Sequence, residues 1–243
     1  MTTLRIAVDD VQLNVEVDGE GPALVLVNGA ACTTRQWDGA IERLAAERTV
    51  VRHDVRGTGS SSPGPLSGYT FERYARDIVA IADHLGLEVF DLWGMAWGAR
   101  VALVTAAQHA DRVRRLVLSD FSIDPADLDA QKRGGADAKA ARAAAGLVDP
   151  PIPPGVREHL DPDAMQAAMA ATLLHSDLLP FVEQVTAPTL IATGEYDPNL
   201  VSSRRAVSSL ATAQLVELEL TGHGSVLFRP DPVIDAVLAF LDE

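Results

Sequence analysis

The fold is decided by one stretch, VFDLWGMAWGARVALVTAAQH at residues 89–109. Its first half predicts a short apolar strand and its second half a helix of small residues, with Gly94, Ala96 and Gly98 in the turn between them. This is the spacing of G-x-S-x-G, in which a strained strand-to-helix turn exposes a serine hydroxyl above a sheet. The flanking glycines tolerate the unusual dihedrals of such a turn and the close approach of the helix to neighbouring strands. Alanine has no hydroxyl, so the chain keeps the pattern of the turn and lacks its nucleophile.

Short apolar strands precede this stretch. Residues 4–8 and 11–17 predict an antiparallel hairpin with one solvated face, because apolar and polar residues alternate in the second run. Residues 23–27 are continuously apolar, as expected of a strand buried on both faces of a parallel sheet. A helix is expected after that strand, because apolar side chains follow at helical spacing, namely Trp37, Ile41 and Leu44.

Strands and helices alternate on both sides of a break at residues 121–183. A helix is predicted over residues 70–85, with one apolar face and with Gly86 as its C-terminal stop. A last amphipathic helix begins at Asp231-Pro232. Further strands are predicted at residues 49–54, 116–119, 188–193 and 214–220. This alternation favours an α/β fold with a doubly wound, mostly parallel sheet.

The break itself is rich in alanine and contains a cluster of prolines. We expect residues 121–183 to be a small helical insertion, and residues 1–120 and 184–243 to form the core domain. A helix is predicted to start at Asp161-Pro162, and its apolar face carries Met165, Met169 and Leu173. That face would pack the insertion onto the core, or it would line the mouth of a pocket. The two roles are compatible with each other.

Composition narrows the class of protein. The chain has 243 residues, a formal net charge of −14 and 47% hydrophobic residues, which suits one α/β domain with an insertion. An acidic surface disfavours nucleic acid and anionic membrane as partners. No apolar run approaches the ~18 residues of a membrane span, and the N-terminal residues do not have the pattern of a signal peptide, so we expect a cytoplasmic protein. The histidines lack metal-ligand spacing, so no metal is expected. No other cofactor is predicted.

Five segments, in this order, resemble motifs of the α/β-hydrolase superfamily. LVLVNGAACTTRQWD is similar to its H-G-x loop with the strand before it, HDVRGTGSS to its D-x-R-G-x-G-x-S loop, and LWGMAWGARVAL to its nucleophile elbow. PTLIATGEYDP is similar to its acid loop, and TGHGSVLFRPDPVIDAVLAFL to its histidine loop and last helix. The resemblance covers nearly the whole chain and implies an eight-stranded sheet flanked by helices, with residues 121–183 as a helical cap. It also implies hydrolysis of small esters or lactones at a Ser-His-Asp-type site. The sequence departs from the common pattern at Asn28 and Met95, where many members have histidine.

Carried onto this chain, the resemblance implies a role for five positions. Ala96 occupies the nucleophile position, Asp197 matches the catalytic acid after the seventh strand, and His223 matches the base after the eighth. A neutral imidazole can accept a proton, and the carboxylate orients it and stabilises the imidazolium that forms. The backbone N–H groups of Ala30 and Trp97 would form the oxyanion hole, and they do not depend on the side chain at position 96.

The substrate pocket is expected to be apolar and to contain Met95, Trp97, Met165 and Met169. Trp97 follows the nucleophile position directly, so its indole would stack on an uncharged small molecule, planar or cyclic in shape. Alternatively, the indole packs inside the core. Cys32 is expected near this pocket, but a lone cysteine is more often a packing residue than a substitute nucleophile. No partner other than such a substrate is predicted, although the sequence leaves a homodimer open.

Ala96 leaves three interpretations open. In the first, the protein is a hydrolase of small esters or lactones whose serine has been replaced, by engineering or by natural loss. Since loss of such a serine costs on the order of 10⁶ in turnover, the covalent route would then be nearly inactive. In the second, an enzyme of the same fold uses the pair of His223 and Asp197 as a general base, as a lyase, a cyclase or a cofactor-free oxygenase. In the third, the chain is a non-catalytic ligand-binding protein, which the retained acid and base disfavour.

Overall fold

The computed structural model describes residues 1–172 and 178–243. Its strands are β1 (Thr2–Val8), β2 (Val11–Asp18), β3 (Ala23–Val27), β4 (Thr49–His53), β5 (Phe90–Met95), β6 (Val113–Ser119), β7 (Thr189–Gly194) and β8 (Ala213–Leu218). They form one sheet in the order β1-β2-β4-β3-β5-β6-β7-β8. The predicted hairpin is β1 and β2, β2 is also antiparallel to β4, and all pairs from β4 to β8 are parallel. The α/β class and the mostly parallel, eight-stranded sheet are therefore confirmed.

The described helices lie mainly between the strands. They are α1 (Ile41–Leu44), α2 (Phe71–His84), α3 (Trp97–Gln108), α4 (Leu128–Ala144), α5 (Pro162–Thr172), α6 (Leu179–Val182), α7 (Leu200–Ser209), α8 (Ser225–Phe228) and α9 (Pro230–Leu241). Among residues 1–172 and 178–243, no helix is both long and apolar enough to cross a membrane. The predicted helix over residues 70–85 is α2, and the helix predicted to be capped at Asp231-Pro232 begins two residues earlier, as α9, with Arg229 as its N-cap.

Apolar side chains of the central strands alternate between two clusters. Val25 and Val27 of β3 belong to the cluster that contains residues of α2 and α3, whereas Leu24 and Leu26 belong to the cluster that contains residues of α1 and α9. This is the two-residue period of a strand, and helices on both faces explain the continuously apolar sequence. The carboxyl ends of β3, β5, β6, β7 and β8 meet at one edge of the sheet, where ligands bind in open α/β folds.

The single helix expected to carry Trp37, Ile41 and Leu44 is not formed. The structure has a 3₁₀ turn at Thr34–Trp37 and, after a break at Gly39, the short helix α1. Glycine is a poor helix residue, and the indole N–H of Trp37 is fixed by Oδ1 of Asn28 at 2.7 Å. The helical spacing was therefore correct in placing three apolar residues against the sheet and wrong in predicting one continuous helix.

The segment between β6 and β7 contains α4, α5 and α6. It is tied to loops of the sheet domain, because the N–H of Thr33 donates to the carbonyl of Val156 at 2.9 Å and the N–H of Leu160 donates to the carbonyl of Gly59 at 2.8 Å. The division into a core domain and a cap stays a prediction. Leu173, expected on the apolar face of α5, lies outside the described residues.

Candidate active site

Ala96 lies in a strained turn between β5 and α3. Its backbone has φ 53° and ψ −110°, and its N–H donates to the carbonyl of Ser119 at 2.8 Å. A positive φ is uncommon for a residue with a Cβ and costs on the order of 1–3 kcal/mol, so the surrounding structure must hold it. The turn has the strained conformation that the G-x-S-x-G spacing predicts, with a methyl group where a serine side chain would stand.

Gly94 and Gly98 allow the strand and the helix to meet. A Cβ on Gly94 would lie 2.2 Å from the carbonyl oxygen of Gly98, and a Cβ on Gly98 would lie 2.3 Å from the carbonyl oxygen of Asn28. Both distances are far below van der Waals contact, and both neighbours are backbone atoms of packed elements. Only glycine therefore fits at either position, and the elbow is fully built around Ala96.

His223 and Asp197 are hydrogen-bonded to each other. Asp197 follows β7 and is buried, His223 follows β8, and Nδ1 of His223 lies 2.9 Å from Oδ2 of Asp197. The other carboxylate oxygen, Oδ1, accepts from the N–H of Asn199 at 3.0 Å, which fixes the carboxylate. Since Nδ1 is engaged, Nε2 is the nitrogen that can exchange a proton with a bound molecule. The contact expected from the order of the two loops is confirmed, while the catalytic roles of both residues stay predictions.

A second carboxylate, Asp120, lies beside this pair, and no motif in the sequence singles it out. It follows β6, has φ 52° and is buried. Its Oδ2 accepts from the N–H of Gly224 at 3.0 Å, from the N–H of Ser225 at 2.8 Å and from the hydroxyl of Ser225 at 3.0 Å. Its Oδ1 has no hydrogen-bond partner among the described residues. Asp120 therefore anchors the loop of His223, and the signal that could have found it is its place at the carboxyl end of a central strand.

The two carboxylates change the protonation of His223. Burial lowers the pKa of this imidazole, but the hydrogen bond and charge of Asp197, together with the charge of Asp120, outweigh burial and raise it above the ordinary value. Burial, and then the charge of Asp197, raise the pKa of Asp120 to about 7. The raised pKa makes the imidazole of His223 a stronger base, and the pKa of Asp120 lies near neutral pH.

These three residues also have the donor types of a metal site. Asp120, Asp197 and His223 each offer a ligand atom, and the three atoms lie within 4.8 Å of one another. Their hydrogen bonds favour an acid–base unit, because Oδ2 of Asp120 already accepts from three donors and Nδ1 of His223 already pairs with Asp197. The expectation that no metal is bound stays a prediction.

Ala30 and Trp97 border the cavity next to Ala96. Among the residues that the structure describes, neither backbone N–H donates to an acceptor, so both remain available to a ligand oxygen. The adjacent N–H of Ala31 is engaged instead, since it donates to Sδ of Met169 at 3.3 Å. Two unpaired N–H donors beside the elbow fit the oxyanion hole that the resemblance implies.

The elbow opens into a cavity of about 1060 Å³. Its wall is mainly apolar and includes all the residues expected in the pocket, which are Met95, Trp97, Met165 and Met169, together with Ala30, Ala96 and His223. Charged side chains also reach it, namely Arg100, Arg157, Glu158 and Asp163. The volume suits a small-molecule ligand.

The indole of Trp97 lies mainly in the core. The residue is only 4% exposed, and its ring centroid lies 5.0 Å from that of Tyr74 and 6.0 Å from that of Phe71. Its Nε1 donates to Oγ1 of Thr172 at 2.8 Å. A ring held by aromatic side chains on one side and by a hydrogen bond at its edge has little surface left for a substrate. Of the two alternatives for this side chain, these contacts favour core packing.

The comparisons with known proteins agree with this geometry. A model of the α/β-hydrolase fold matches residues 22–145. A 2-(acetamidomethylene)succinate hydrolase of Mesorhizobium japonicum is 30% identical over 98% of this chain and 94% of its own length. The chain belongs to the α/β-hydrolase family.

This α/β-hydrolase is also similar to two further proteins. An N-formylmaleamate deformylase of Pseudomonas putida is 43% identical over a shorter region, which spans 42% of this chain and 38% of the relative. The solved structure of an enol-lactonase from Burkholderia xenovorans superposes with a TM-score of 0.82 over 99% of this chain and 100% of that chain. Its sequence identity is 24%, so it shows a likeness of fold.

Proposed function

We propose that this α/β-hydrolase acts on a small ester or lactone whose carbonyl carbon lies next to Ala96. His223 is the general base, Asp197 orients it, and the N–H groups of Ala30 and Trp97 stabilise negative charge on the carbonyl oxygen. The observation that carries the proposal is the grouping of an acid–base pair and two unpaired N–H donors around a strained elbow that opens into a cavity. A protein that only binds a ligand has no need of this arrangement.

With alanine at position 96, the reaction does not pass through an acyl-enzyme. Nε2 of His223 takes a proton from water as the water oxygen attacks the carbonyl carbon, the bond to the leaving alkoxide breaks, and the imidazolium returns the proton to that alkoxide. Cys32 does not replace the serine, because burial raises the pKa of its thiol. Sites that lose a member of the triad keep a rate about 10³–10⁴-fold above water, so slow turnover is expected.

The relatives support chemistry at a carbonyl group. The relative at 30% identity is named as a hydrolase of 2-(acetamidomethylene)succinate, and the relative that matches in part is named as a deformylase. Without a nucleophile on the protein, the leaving group decides the rate. Alkoxides leave more readily than amide nitrogens, which is why we favour an ester or a lactone for this chain.

A second candidate function is favoured by Ala96 itself. A general base that needs no nucleophile can remove a proton from a carbon next to a carbonyl, and the same two N–H groups can hold the resulting enolate. Such a step begins an elimination, a cyclisation or a cofactor-free oxygenation. It exchanges substrate hydrogen with solvent, whereas ester hydrolysis does not.

The two candidates are separated by following a panel of aryl esters and lactones by NMR in H₂O and in D₂O. We expect cleavage about 10³–10⁴-fold faster than in buffer, lost in His223→Gln and kept in the matched surface variant His84→Gln. Deuterium at the carbon next to the carbonyl, without cleavage, would support the second candidate. Absence of both cleavage and exchange would contradict both candidates and favour a ligand-binding protein.

A further inference from the structure

Helix α4 carries both lysines of the chain on one face. Lys132 and Lys139 are the only lysines in the sequence, and the other 18 of its 20 lysine and arginine residues are arginines. They are two helical turns apart, so their side chains leave the same side of the helix. Gly135 stands between them, and nothing lies within 4 Å of the place where its Cβ would be. The space between the two lysines is therefore open.

This face of α4 lines a second cavity, of about 500 Å³. The loop of His223 and the helix after it, α8, line it as well, through Gly222, His223 and Phe228. His223 and Phe228 also border the larger cavity at the elbow, as do Leu128 and Gln131 of α4. The two cavities therefore adjoin each other at the loop of His223.

Glycines hold α4 directly against the loops of the site. A Cβ on Gly134 would lie 2.0 Å from the carbonyl oxygen of Tyr196, and a Cβ on Gly222 would lie 3.0 Å from Cα of Gly135. A glycine inside a helix costs about 1 kcal/mol relative to alanine, so the glycine at position 134 indicates that this close packing is required. The second cavity consequently lies between α4 and the loop of His223, and it is open to solvent on its outer side.

The charges of the two lysines are available to a ligand. Arg142, the third basic residue of the cavity, forms an ion pair with Asp149 through two hydrogen bonds of 2.5 and 3.0 Å. Within the described part of the chain, Lys139 has no carboxylate within 4.0 Å. Lys132 lies 3.7 Å from Asp129, and because the two side chains are 79% and 81% exposed, such a pair contributes only ~0–1 kcal/mol.

Three cationic side chains and one carboxylate, Asp149, line this cavity, and such an excess of positive charge is unexpected in a chain whose net charge is −14. Arginine serves the structural ion pairs of this protein, such as the buried pair of Arg56 with Asp77 at 2.6 Å. Lysine is a compact, strongly hydrated charge on a flexible stem, which suits a solvent-open binding site. We propose that the second cavity binds a carboxylate of the substrate, with Lys132 and Lys139 as its cationic partners.

The inference rests on the proposed function and narrows its substrate class. The substrate becomes an ester or lactone that carries a free carboxylate, in place of the uncharged molecule expected from the sequence. A carboxylate in the second cavity orients the molecule, so that its carbonyl faces Ala96. A positively lined cleft also raises the local concentration of an anionic substrate and its rate of association.

The test compares two small probes, monomethyl glutarate, which has one carboxylate, and dimethyl glutarate, its neutral counterpart. Their affinities are measured by NMR titration, since a protein without a nucleophile consumes esters slowly. Replacing both lysines, Lys132→Met and Lys139→Met, keeps the aliphatic stems and removes the charges. We expect affinity for the monoester to fall about tenfold or more and affinity for the diester to stay unchanged. Added salt should weaken binding of the monoester alone.

The controls lie on the same helix. Lys132→Arg with Lys139→Arg should keep affinity for the monoester, and Arg133→Met, which removes a charge that borders neither cavity, should change it less than twofold. Equal affinity of the parent and of the double methionine variant would overturn the proposal, as would an equal loss in Arg133→Met. If both probes shift the resonances of Ala96 and His223 equally in the parent and in the double methionine variant, the carboxylate site is disproved and the proposed function stands. If neither probe shifts them, the proposed function fails.

Discussion

The indole N–H of Trp97 donates to the hydroxyl of Thr172 at 2.8 Å, and this bond joins the first residue of α3 to the last residue of α5. The backbone N–H of the same tryptophan is one of the two donors assigned to the oxyanion hole. The side chain is shared between the core, through Tyr74, and the segment between β6 and β7. The position of this donor therefore depends on how α5 packs.

Trp97→Ala is expected to lower the free energy of unfolding by about 3–5 kcal/mol, as for a large core side chain. Affinity for a pocket ligand, counted per folded molecule, should change little. Urea denaturation and ligand titration measure the two effects separately. Trp97→Phe and Thr172→Val, alone and combined, isolate the hydrogen bond, which should contribute about 1 kcal/mol. Unchanged stability with weakened binding would instead show that the indole faces the ligand.

The raised pKa of His223 predicts the pH dependence of the site. A base must be neutral, so activity should be lost as pH falls through the raised pKa, with a midpoint above the ordinary value of about 6.5. Asp197→Asn removes the hydrogen-bonded charge and leaves burial, so the pKa of His223 should fall. NMR titration of the imidazole checks both statements. A pKa that does not change in Asp197→Asn would show that Asp197 does not stabilise the imidazolium.

The raised pKa of His223 also predicts how the free energy of unfolding depends on pH. A histidine whose pKa is raised on folding stabilises the protein below its ordinary pKa, and this contribution is lost as pH rises through the folded value. Asp120, with its pKa raised to about 7, binds a proton in the folded state that the unfolded chain releases near pH 4. The free energy of unfolding should therefore fall as pH rises from about 4 to about 7, and Asp120→Asn should flatten this slope.

Asp120 also anchors the loop of His223 through hydrogen bonds. Two substitutions separate this role from the effect of its charge. Asparagine tolerates a positive φ and can still accept from Gly224 and Ser225, so Asp120→Asn should keep the loop of His223 and lower the pKa of His223. Asp120→Ala leaves the buried N–H groups of both loop residues unpaired and should cost about 1–3 kcal/mol of stability. Urea denaturation measures the stability of the two variants, and NMR titration measures the pKa of the His223 imidazole in each. Equal stability of the two variants would show that the carboxylate does not anchor the loop.

The sequence was sufficient for the sheet and for the contact between His223 and Asp197. In parallel strands, side chains that directly follow different strands meet at the carboxyl edge, so the order of loops already brings acid and base together. It was not sufficient for Asp120, because a single aspartate after a strand has no motif. The direction of the Trp97 ring was also undetermined, since the partners that hold it, Tyr74 and Thr172, are distant in sequence.

Some features depend on contacts that no local pattern encodes. The break in the helix expected at Trp37 follows from a hydrogen bond to Asn28 and from Gly39, which together override the helical spacing of the apolar residues. Gly134 of α4 has no local explanation either, because the atom that excludes a side chain there is the carbonyl oxygen of Tyr196, in the loop after β7. In both places, packing against elements that are distant in sequence determines the local structure.

Ala96→Ser is expected to create, or restore, a serine esterase. The strained φ of 53° is already present with alanine, so serine adds no new backbone cost, and residue 96 borders the same cavity as His223. The imidazole can then take the hydroxyl proton during attack on a carbonyl. An activated aryl ester should give a burst of the phenol product, and a fluorophosphonate should label the introduced serine. The parent chain should show neither.

The control is His223→Gln in the same background, which keeps the hydroxyl and removes its base. Labelling that survives this change would come from a hydroxyl that the imidazole does not activate, and would argue against the assigned base. A folded Ala96→Ser protein that resists the probe and cleaves no ester would favour the serine-independent enzyme. Its elbow, acid and base would then serve proton transfer at carbon, because the same imidazole and the same N–H donors stabilise an enolate as well as a tetrahedral oxyanion.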